Sequence, residues 1–175
     1  DPRGTPPGAG IPAPDWIRGG VLYSLYPRAF TPQGTLDAAR ARLPEIRALG
    51  ADAVWLLPIH PIGLSHRKGS QGSPYAIRDY RGVHPDLGTE ADLRRFVDDA
   101  HQLGLRVIID LVINHAAWDH PLAEREPGVF VRDGLGRPTR RVAGWQDVVD
   151  WNYDHPAVAE HLLEAAHGVR GLPCP

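Results

Sequence analysis

The chain has 175 residues, 42% of them hydrophobic, and a formal net charge of −2 at pH 7. Acidic and basic residues are interspersed, so the sequence gives no sign of a nucleic-acid footprint or a polybasic membrane surface. No run of about 18 apolar residues is present, so we expect no membrane span. A closed (β/α)8 barrel takes roughly 250 residues, with about 200 as the lower bound, so a complete barrel is excluded.

The cysteine and methionine content leaves the cellular location open. Cys174 is the single cysteine, and methionine is absent even at position 1. One cysteine cannot form an internal disulfide, and secreted proteins can also lack disulfides, so cytoplasmic and secreted locations are both compatible with the sequence. The missing initiator methionine predicts that the chain begins after processing or trimming.

The first 15 residues form a lead-in rich in proline and glycine. Residues 1–14 contain five prolines and three glycines with little apolar content. Such a segment cannot bury enough apolar surface to offset the entropy cost of ordering, so we expect residues 1–15 to be flexible.

A helical pattern lies between two strand-like runs. Residues 21–26 and 53–57 are short apolar runs typical of buried strands, and residues 36–49 have helical spacing. Pro44 interrupts that spacing, and a proline inside a helix costs about 3 kcal/mol, so we expect a break there. Gly50 occupies the position of a helix C-cap.

A long polar loop at residues 58–84 separates the second strand from the next helix. Thr89 and Asp92 have the spacing of a capping box, and Gly104 marks the end of that helix. Residues 105–112 then predict a third strand. The order strand, helix, strand, helix, strand indicates an α/β fold with right-handed βαβ units and a parallel sheet.

Residues 116–150 interrupt this alternation with several turn signals around short apolar pieces, which is typical of a small inserted subdomain. Asp154 then has the character of an N-cap, and it predicts a third helix that runs to about His167. Gly168 is expected to stop that helix.

Five segments of the chain match one family in its order. They are VLYSLYPRAF at 21–30, AVWLLPI at 53–59, SPYAIRDY at 73–80 with PDLGT at 85–89, DLVINH at 110–115 and DVVDWN at 147–152. The sequence thereby resembles the α-amylase family, glycoside hydrolase family 13, which contains retaining glycoside hydrolases and transglycosidases. DLVINH is similar to the third-strand signature of that family, and DVVDWN to the segment that closes its inserted domain B.

The resemblance implies a partial TIM (β/α)8 barrel. Residues 16–115 would form its first three β/α units, and residues 116–150 a domain B-like insertion after the third strand. Residues 151–175 would hold the third helix and a truncated or aberrant C-terminus.

The resemblance also implies roles for three side chains. The family's aromatic residue at the position of Tyr75 stacks on the sugar at the cleavage subsite, and an aromatic face suits the C–H-rich face of a pyranose. His115 would donate a hydrogen bond to a hydroxyl of the same sugar, and Asp110 would be a structural residue of the site. The alternatives are a tyrosine that packs on the rim and a histidine satisfied by nearby backbone.

Calcium is the one cofactor that the resemblance implies. Asn114 matches a ligand of the ion that holds domain B to the barrel in many members, and Asp150 matches an aspartate that supplies another ligand. Val149 departs from the proline usual before that aspartate. One amide oxygen is far short of the six to eight oxygens that calcium takes, and the asparagine is also compatible with a hydrogen-bonding role alone.

Nine histidines raise the question of a transition-metal site. The spacing typical of zinc ligands, such as H-E-x-x-H or paired cysteines, is absent. We therefore expect the loop histidines to be solvated, among them His60, His66, His84 and His120. The chain also has no G-x-S-x-G elbow, P-loop or dinucleotide-binding glycine motif.

No residue of this chain matches the catalytic carboxylates of the family. Retaining glycosidases use two carboxyl groups about 5–5.5 Å apart, and in this family they follow the fourth and fifth strands, with a further aspartate after the seventh. Residues 168–175 faintly echo the fourth-strand motif, but Pro173 and Pro175 replace its arginine and aspartate, and prolines do not continue a central strand. The sequence therefore predicts a fragment of an enzyme acting on α-glucan or maltooligosaccharide. The alternative is a non-catalytic carbohydrate-binding or interaction module of the same fold.

Overall fold

A parallel three-stranded sheet forms the centre of the computed structural model, which describes residues 14–170. The strands are β1 (Leu22–Leu25), β2 (Ala53–Leu56) and β3 (Arg106–Ile109), in the spatial order β1-β2-β3. Both pairs are parallel, which confirms the predicted βαβ arrangement. The predicted flexible lead-in lies outside the described residues except for its last two positions, and so do residues 171–175.

Short helices connect the first two strands. They are α2 (Pro27–Phe30), α3 (Leu36–Arg40) and α4 (Leu43–Ala48), preceded at the start of the described chain by α1 (Asp15–Arg18). Pro44 lies in the first turn of α4, where its missing N–H costs nothing, so the predicted break is confirmed. Gly50 follows with a φ of +87°, a conformation that glycine adopts without strain.

One longer helix, α5 (Glu90–Gln102), connects β2 to β3. The Thr89 side chain accepts from the backbone N–H of Asp92, and the Asp92 carboxylate accepts from the backbone N–H of Thr89. The predicted capping box is therefore present. The buried residues of α5 lie on one side of the helix and pack in the same core as the sheet. They are Leu93, Phe96, Val97 and Ala100.

The two faces of the sheet differ in how far they are covered. The helices pack against the face that carries Leu25, Val54 and Leu56, which are almost fully buried, and this layer is the first core. Because side chains alternate along a strand, Leu22 and Trp55 point to the opposite face. They are 48% and 39% exposed, so that face is largely uncovered in the described residues.

The third strand ends at Ile109, three residues earlier than predicted. Asp110 N donates the last interstrand hydrogen bond, to Leu56 O. Beyond that point the Tyr80 hydroxyl, from the loop after β2, lies 2.8 Å from Val112 O and 3.1 Å from His115 O. These carbonyls therefore bond to a side chain instead of a neighbouring strand.

The insertion contributes a second, two-stranded antiparallel sheet. It consists of β4 (His115–Ala117) and β5 (Val148–Asp150), and α6 (Leu122–Arg125) lies between them in the chain. Their apolar residues join those of the last helix, α7 (Pro156–Arg170), in a second core around Tyr80 and Trp151.

The bounds of α7 correct two predictions. The helix begins at Pro156, so Asp154 is not its N-cap, and Pro156 takes the first helical position that suits its fixed φ. The helix also continues through Gly168 to Arg170, so the predicted stop is wrong. A helical glycine costs only about 1 kcal/mol relative to alanine, which neighbouring turns can offset. No helix in residues 14–170 is long and apolar enough to cross a membrane.

Candidate active site

A cavity of about 470 Å³, which we call the cleft, opens where β3 ends and the insertion begins. This position is the carboxyl end of the parallel strands, where α/β barrels assemble their sites. Four of the five residues singled out in the sequence line it: Tyr75, Asp110, Asn114 and His115. Its volume is in the range of ligand-binding clefts.

Tyr75 lies in the loop after β2 and combines an accessible ring with a fixed hydroxyl. The residue is 37% exposed, and its phenol donates a hydrogen bond to Asp110 Oδ2 at 3.2 Å. Burial, together with the negative charge of Asp110, raises the pKa of the Tyr75 phenol above its usual value. The phenol therefore remains a protonated donor at neutral pH, and its ring face is left free for a ligand.

His115 occupies the first position of β4, paired with Asp150 across the small sheet. The side chain is buried, and burial lowers the pKa of its imidazole below the usual value despite the nearby charges of Asp150 and Asp147. Its Nδ1 has no hydrogen-bond partner among residues 14–170. The ring is therefore neutral at pH 7 and can act as a hydrogen-bond donor or acceptor.

Trp145, which sequence reasoning missed, forms the wall of the cleft on the side of the insertion. Its indole is 45% exposed, and its ring meets that of His115 edge to face, with centroids 5.3 Å apart and an angle of 66°. It lies in a turn-rich stretch without periodicity, so no local pattern pointed to it.

Lys68 and Asp147 form an ion pair at the edge of the cleft, which sequence reasoning also missed. Lys68 Nζ lies 2.9 Å from Asp147 Oδ1, and the carboxylate is only 5% exposed. The same ammonium group donates to Gly144 O at 3.3 Å. Of the 19 basic residues in the chain, Lys68 is the only lysine. A single lysine in a chain otherwise rich in arginine was the sequence feature that could have pointed to this pair. Lysine carries a compact ammonium charge, whereas arginine carries a planar guanidinium group.

Asn114 and Asp150 come together at the base of the insertion. Trp151 N donates to Asn114 O at 3.2 Å, and Asp150 pairs with the residue after Asn114. The Asp150 carboxylate, however, accepts from Arg141 N at 3.0 Å and lies 3.5 Å from Arg141 Nε.

These two residues do not by themselves make a calcium site. Residues 14–170 hold no cluster of three or more His, Cys, Asp or Glu side chains arranged for a metal. Calcium takes six to eight oxygens, and the charge of Asp150 is already balanced by Arg141.

The prediction of solvated loop histidines is wrong for His60 and His120, which are 4% and 3% exposed. Both rings contact Tyr80, and His161 of α7 contacts Tyr80 and His120. Burial lowers the pKa of all three imidazoles, that of His120 to about 3. These histidines serve as packed neutral rings of the second core.

Taken together, the cleft offers an exposed aromatic face, a carboxylate and a neutral imidazole at the carboxyl end of a parallel sheet. Such a set can stack on a sugar ring and hydrogen-bond its hydroxyls. The parallel strands with the cleft at their carboxyl end are the arrangement of a (β/α) barrel.

Comparison with known proteins identifies the family. The model of the α-amylase catalytic domain matches residues 9–127. An α-amylase of Haloarcula japonica is 34% identical over 163 residues, which cover 87% of this chain and 24% of that protein. An α-1,4-glucan:maltose-1-phosphate maltosyltransferase of Pseudomonas aeruginosa is 38% identical over 171 residues. The match covers 84% of this chain and 25% of that protein. The chain belongs to the α-amylase family.

Solved structures agree with this assignment. The crystal structure of an α-amylase from Lactobacillus plantarum matches with a TM-score of 0.86 and 40% identity, covering 89% of this chain and 37% of that one. A maltogenic α-amylase from Thermotoga neapolitana matches with a TM-score of 0.79 and 37% identity, covering 87% of this chain and 36% of that one. The predicted partial TIM barrel is thereby confirmed, and the chain spans about a quarter of the length of the two relatives named above.

Proposed function

We propose that this chain supplies part of the substrate cleft of an enzyme that hydrolyses or transfers α-linked glucosyl units of starch, maltodextrin or related α-glucosides. The observation that carries the proposal is the meeting of Tyr75, Asp110 and His115 in one cleft at the carboxyl end of β3. The names of the two relatives, an α-amylase and a maltosyltransferase, support a substrate of this class.

Each of the three residues has a distinct part in binding. The ring face of Tyr75 stacks on the apolar face of a glucosyl unit. Asp110 holds that ring through the phenolic hydrogen bond, so it acts on the sugar as a positioning residue. The His115 ring has a backbone hydrogen bond to Tyr75, while its Nδ1 has no partner among residues 14–170. We assign to this ring a hydrogen bond with a hydroxyl of the same unit, a contact that strengthens as positive charge develops on the sugar.

The chain alone is proposed to be inactive. Retention requires a nucleophile and an acid/base about 5–5.5 Å apart. Within residues 14–170, the carboxylates that line the cleft are Asp110 and Asp147, and each already has a partner, Tyr75 or Lys68. The nucleophile and the acid/base are therefore assigned to strands beyond this sheet.

Sugar binding is the direct test of the cleft. Titration calorimetry or ligand-observed NMR with maltotriose should detect weak binding to the wild-type chain, and both Tyr75→Ala and His115→Ala should weaken it at least severalfold. Trp55→Ala is the control, because Trp55 is also an exposed aromatic residue and does not line the cleft. Equal affinity of the wild type and both cleft variants would refute the proposal.

Catalysis separates the enzyme fragment from a non-catalytic binding module. The purified chain should release no reducing sugar from starch beyond background, and joining it to the downstream part of a relative's barrel should restore turnover. Multiple turnovers by the chain alone, lost in Asp110→Asn, would contradict the assignment of the missing carboxylates. A correctly folded joined protein that binds maltotriose without turnover would favour the binding module.

A further inference from the structure

We infer that Trp145 is a second sugar-binding platform, which contacts a glucosyl unit of a maltooligosaccharide together with Tyr75 and His115. The inference rests on the proposed function and extends it to a residue of the insertion. It assigns to the insertion a direct part in substrate recognition, beyond its packing on the barrel.

The indole of Trp145 lies on the wall of the cleft. Trp145 lines the same cleft as Tyr75, and its ring centroid lies 5.3 Å from that of His115. A sugar ring that hydrogen-bonds His115 therefore also comes within reach of the indole. Two aromatic rings and a histidine in one cleft suit a ligand that alternates apolar faces with hydroxyl edges.

The Trp145 side chain is left partly exposed to solvent. Trp145 is 45% exposed and belongs to neither core, whereas Trp151, in the same segment, is 1% exposed in the second core. Leaving half of an indole in water forgoes a large part of its burial free energy. A ligand that covers the ring would recover that part.

Contacts from Lys68 and Trp118 hold the backbone on both sides of Trp145. Lys68 Nζ contacts the residue before it, Gly144 O at 3.3 Å, and Asp147 Oδ1 at 2.9 Å. Trp118 Nε1 donates to Gln146 O at 2.9 Å. The turn is therefore held on both sides of Trp145, which lowers the entropy cost of ordering the ring when a ligand binds.

The test compares two exposed tryptophans under the same substitution. Trp55 is 39% exposed and does not line the cleft, so Trp55→Ala is the matched control for Trp145→Ala. Maltotriose is the probe, with the full 175-residue chain. We expect Trp145→Ala to weaken binding about three- to tenfold, Trp145→Phe to recover most of the affinity, and Trp55→Ala to bind like the wild type.

A second readout does not depend on affinity or folding of a variant. Mild oxidation of the wild-type chain with N-bromosuccinimide, mapped by mass spectrometry, should modify Trp145 and Trp55 in the absence of sugar. Saturating maltotriose should slow oxidation of Trp145 and leave Trp55 unchanged. Equal oxidation of Trp145 with and without bound sugar would overturn the inference.

The outcomes also separate this inference from the proposed function. If the wild type binds maltotriose, Tyr75→Ala loses binding and Trp145→Ala does not, then only the platform is refuted. If the wild type does not bind maltotriose, both fail.

Discussion

The Tyr75 phenol donates a hydrogen bond to Asp110 Oδ2 across 3.2 Å, and this contact joins the loop after β2 to the residue that follows β3. The bond leaves the ring face of Tyr75 open while it fixes the direction of the phenol. The carboxylate after β3 thereby orients an aromatic side chain of the cleft.

Two substitutions of Tyr75 distinguish the contribution of its ring from that of its hydroxyl. Tyr75→Phe keeps the stacking face and loses the bond to Asp110, so maltotriose affinity should fall about two- to fivefold, the effect of one hydrogen bond. Tyr75→Ala removes the ring as well and should lose more. Calorimetric titration measures both.

A double-mutant cycle checks that Asp110 acts through Tyr75. Asp110→Asn should weaken binding in the wild type and have little further effect in Tyr75→Phe. Fully additive losses would mean that Asp110 contacts the sugar independently.

The ion pair of Lys68 with Asp147 should stabilise the docked insertion. Lys68→Met leaves a carboxylate that is 5% exposed without its cation, and we expect the free energy of unfolding to fall by about 2 kcal/mol. Urea denaturation followed by fluorescence measures this loss.

The control for Lys68→Met is Arg81→Met. Arg81 also contacts a carboxylate at 2.9 Å, that of Glu164, but both side chains are more than half exposed. Such surface pairs contribute about 0–1 kcal/mol. If both variants lose the same stability, the Lys68 pair has no special part in holding the insertion.

Stability should fall when the pH drops from 7 to 5. Burial lowers the pKa of His120 to about 3 in the folded chain, whereas an unfolded histidine titrates near about 6.5. Below that value the unfolded state gains a proton that the folded state does not bind, so acid favours unfolding. His120 alone should contribute about 1 kcal/mol of the loss by pH 5.5.

Denaturation curves at several pH values test this linkage. His120→Gln should flatten the dependence of the unfolding free energy on pH, because one titrating group is removed from the second core. His167→Gln changes an exposed histidine of the same protein and should leave the slope as in the wild type. An unchanged slope in His120→Gln would show that other groups cause the acid sensitivity.

Calcium should bind weakly, with a dissociation constant in about the millimolar range, because Asp150 is already paired with Arg141. Arg141→Ala removes the guanidinium charge beside Asp150, although the backbone N–H of residue 141 can still donate to that carboxylate, and it should strengthen binding. Asn114→Ala should weaken it. Calorimetry with calcium measures both effects, and Arg137→Ala, in the same segment, is the control. Tight wild-type binding that persists in Asn114→Ala would place the ion elsewhere.

Local sequence patterns account for the parts of the fold that were predicted. The apolar runs of β1 and β2, the break at Pro44 and the capping box at Thr89 depend on residues close in sequence. The order of these elements then leaves few topologies, since a crossover between parallel strands is right-handed.

The features that were missed depend on contacts between distant segments. Beyond the end of β3 the carbonyl of Val112 accepts from the Tyr80 hydroxyl, and His60 and His120 are buried against the Tyr80 ring. Sequence alone predicts that histidines in a polar loop are solvated, because it does not show which distant segment packs against them. In the cleft, Tyr75 and His115 could be named because they lie in recognisable motifs, whereas Trp145 lies in none.

The division of the apolar residues into two cores places the parallel sheet in one core and the insertion in the other. The first core joins residues between 25 and 105 through short connections, and the second joins residues between 77 and 165. The contact of Lys68 with Gly144 spans 76 positions, so the cleft is complete only after the insertion has docked. A chain in which the insertion has not docked would keep its parallel sheet and lack a complete cleft.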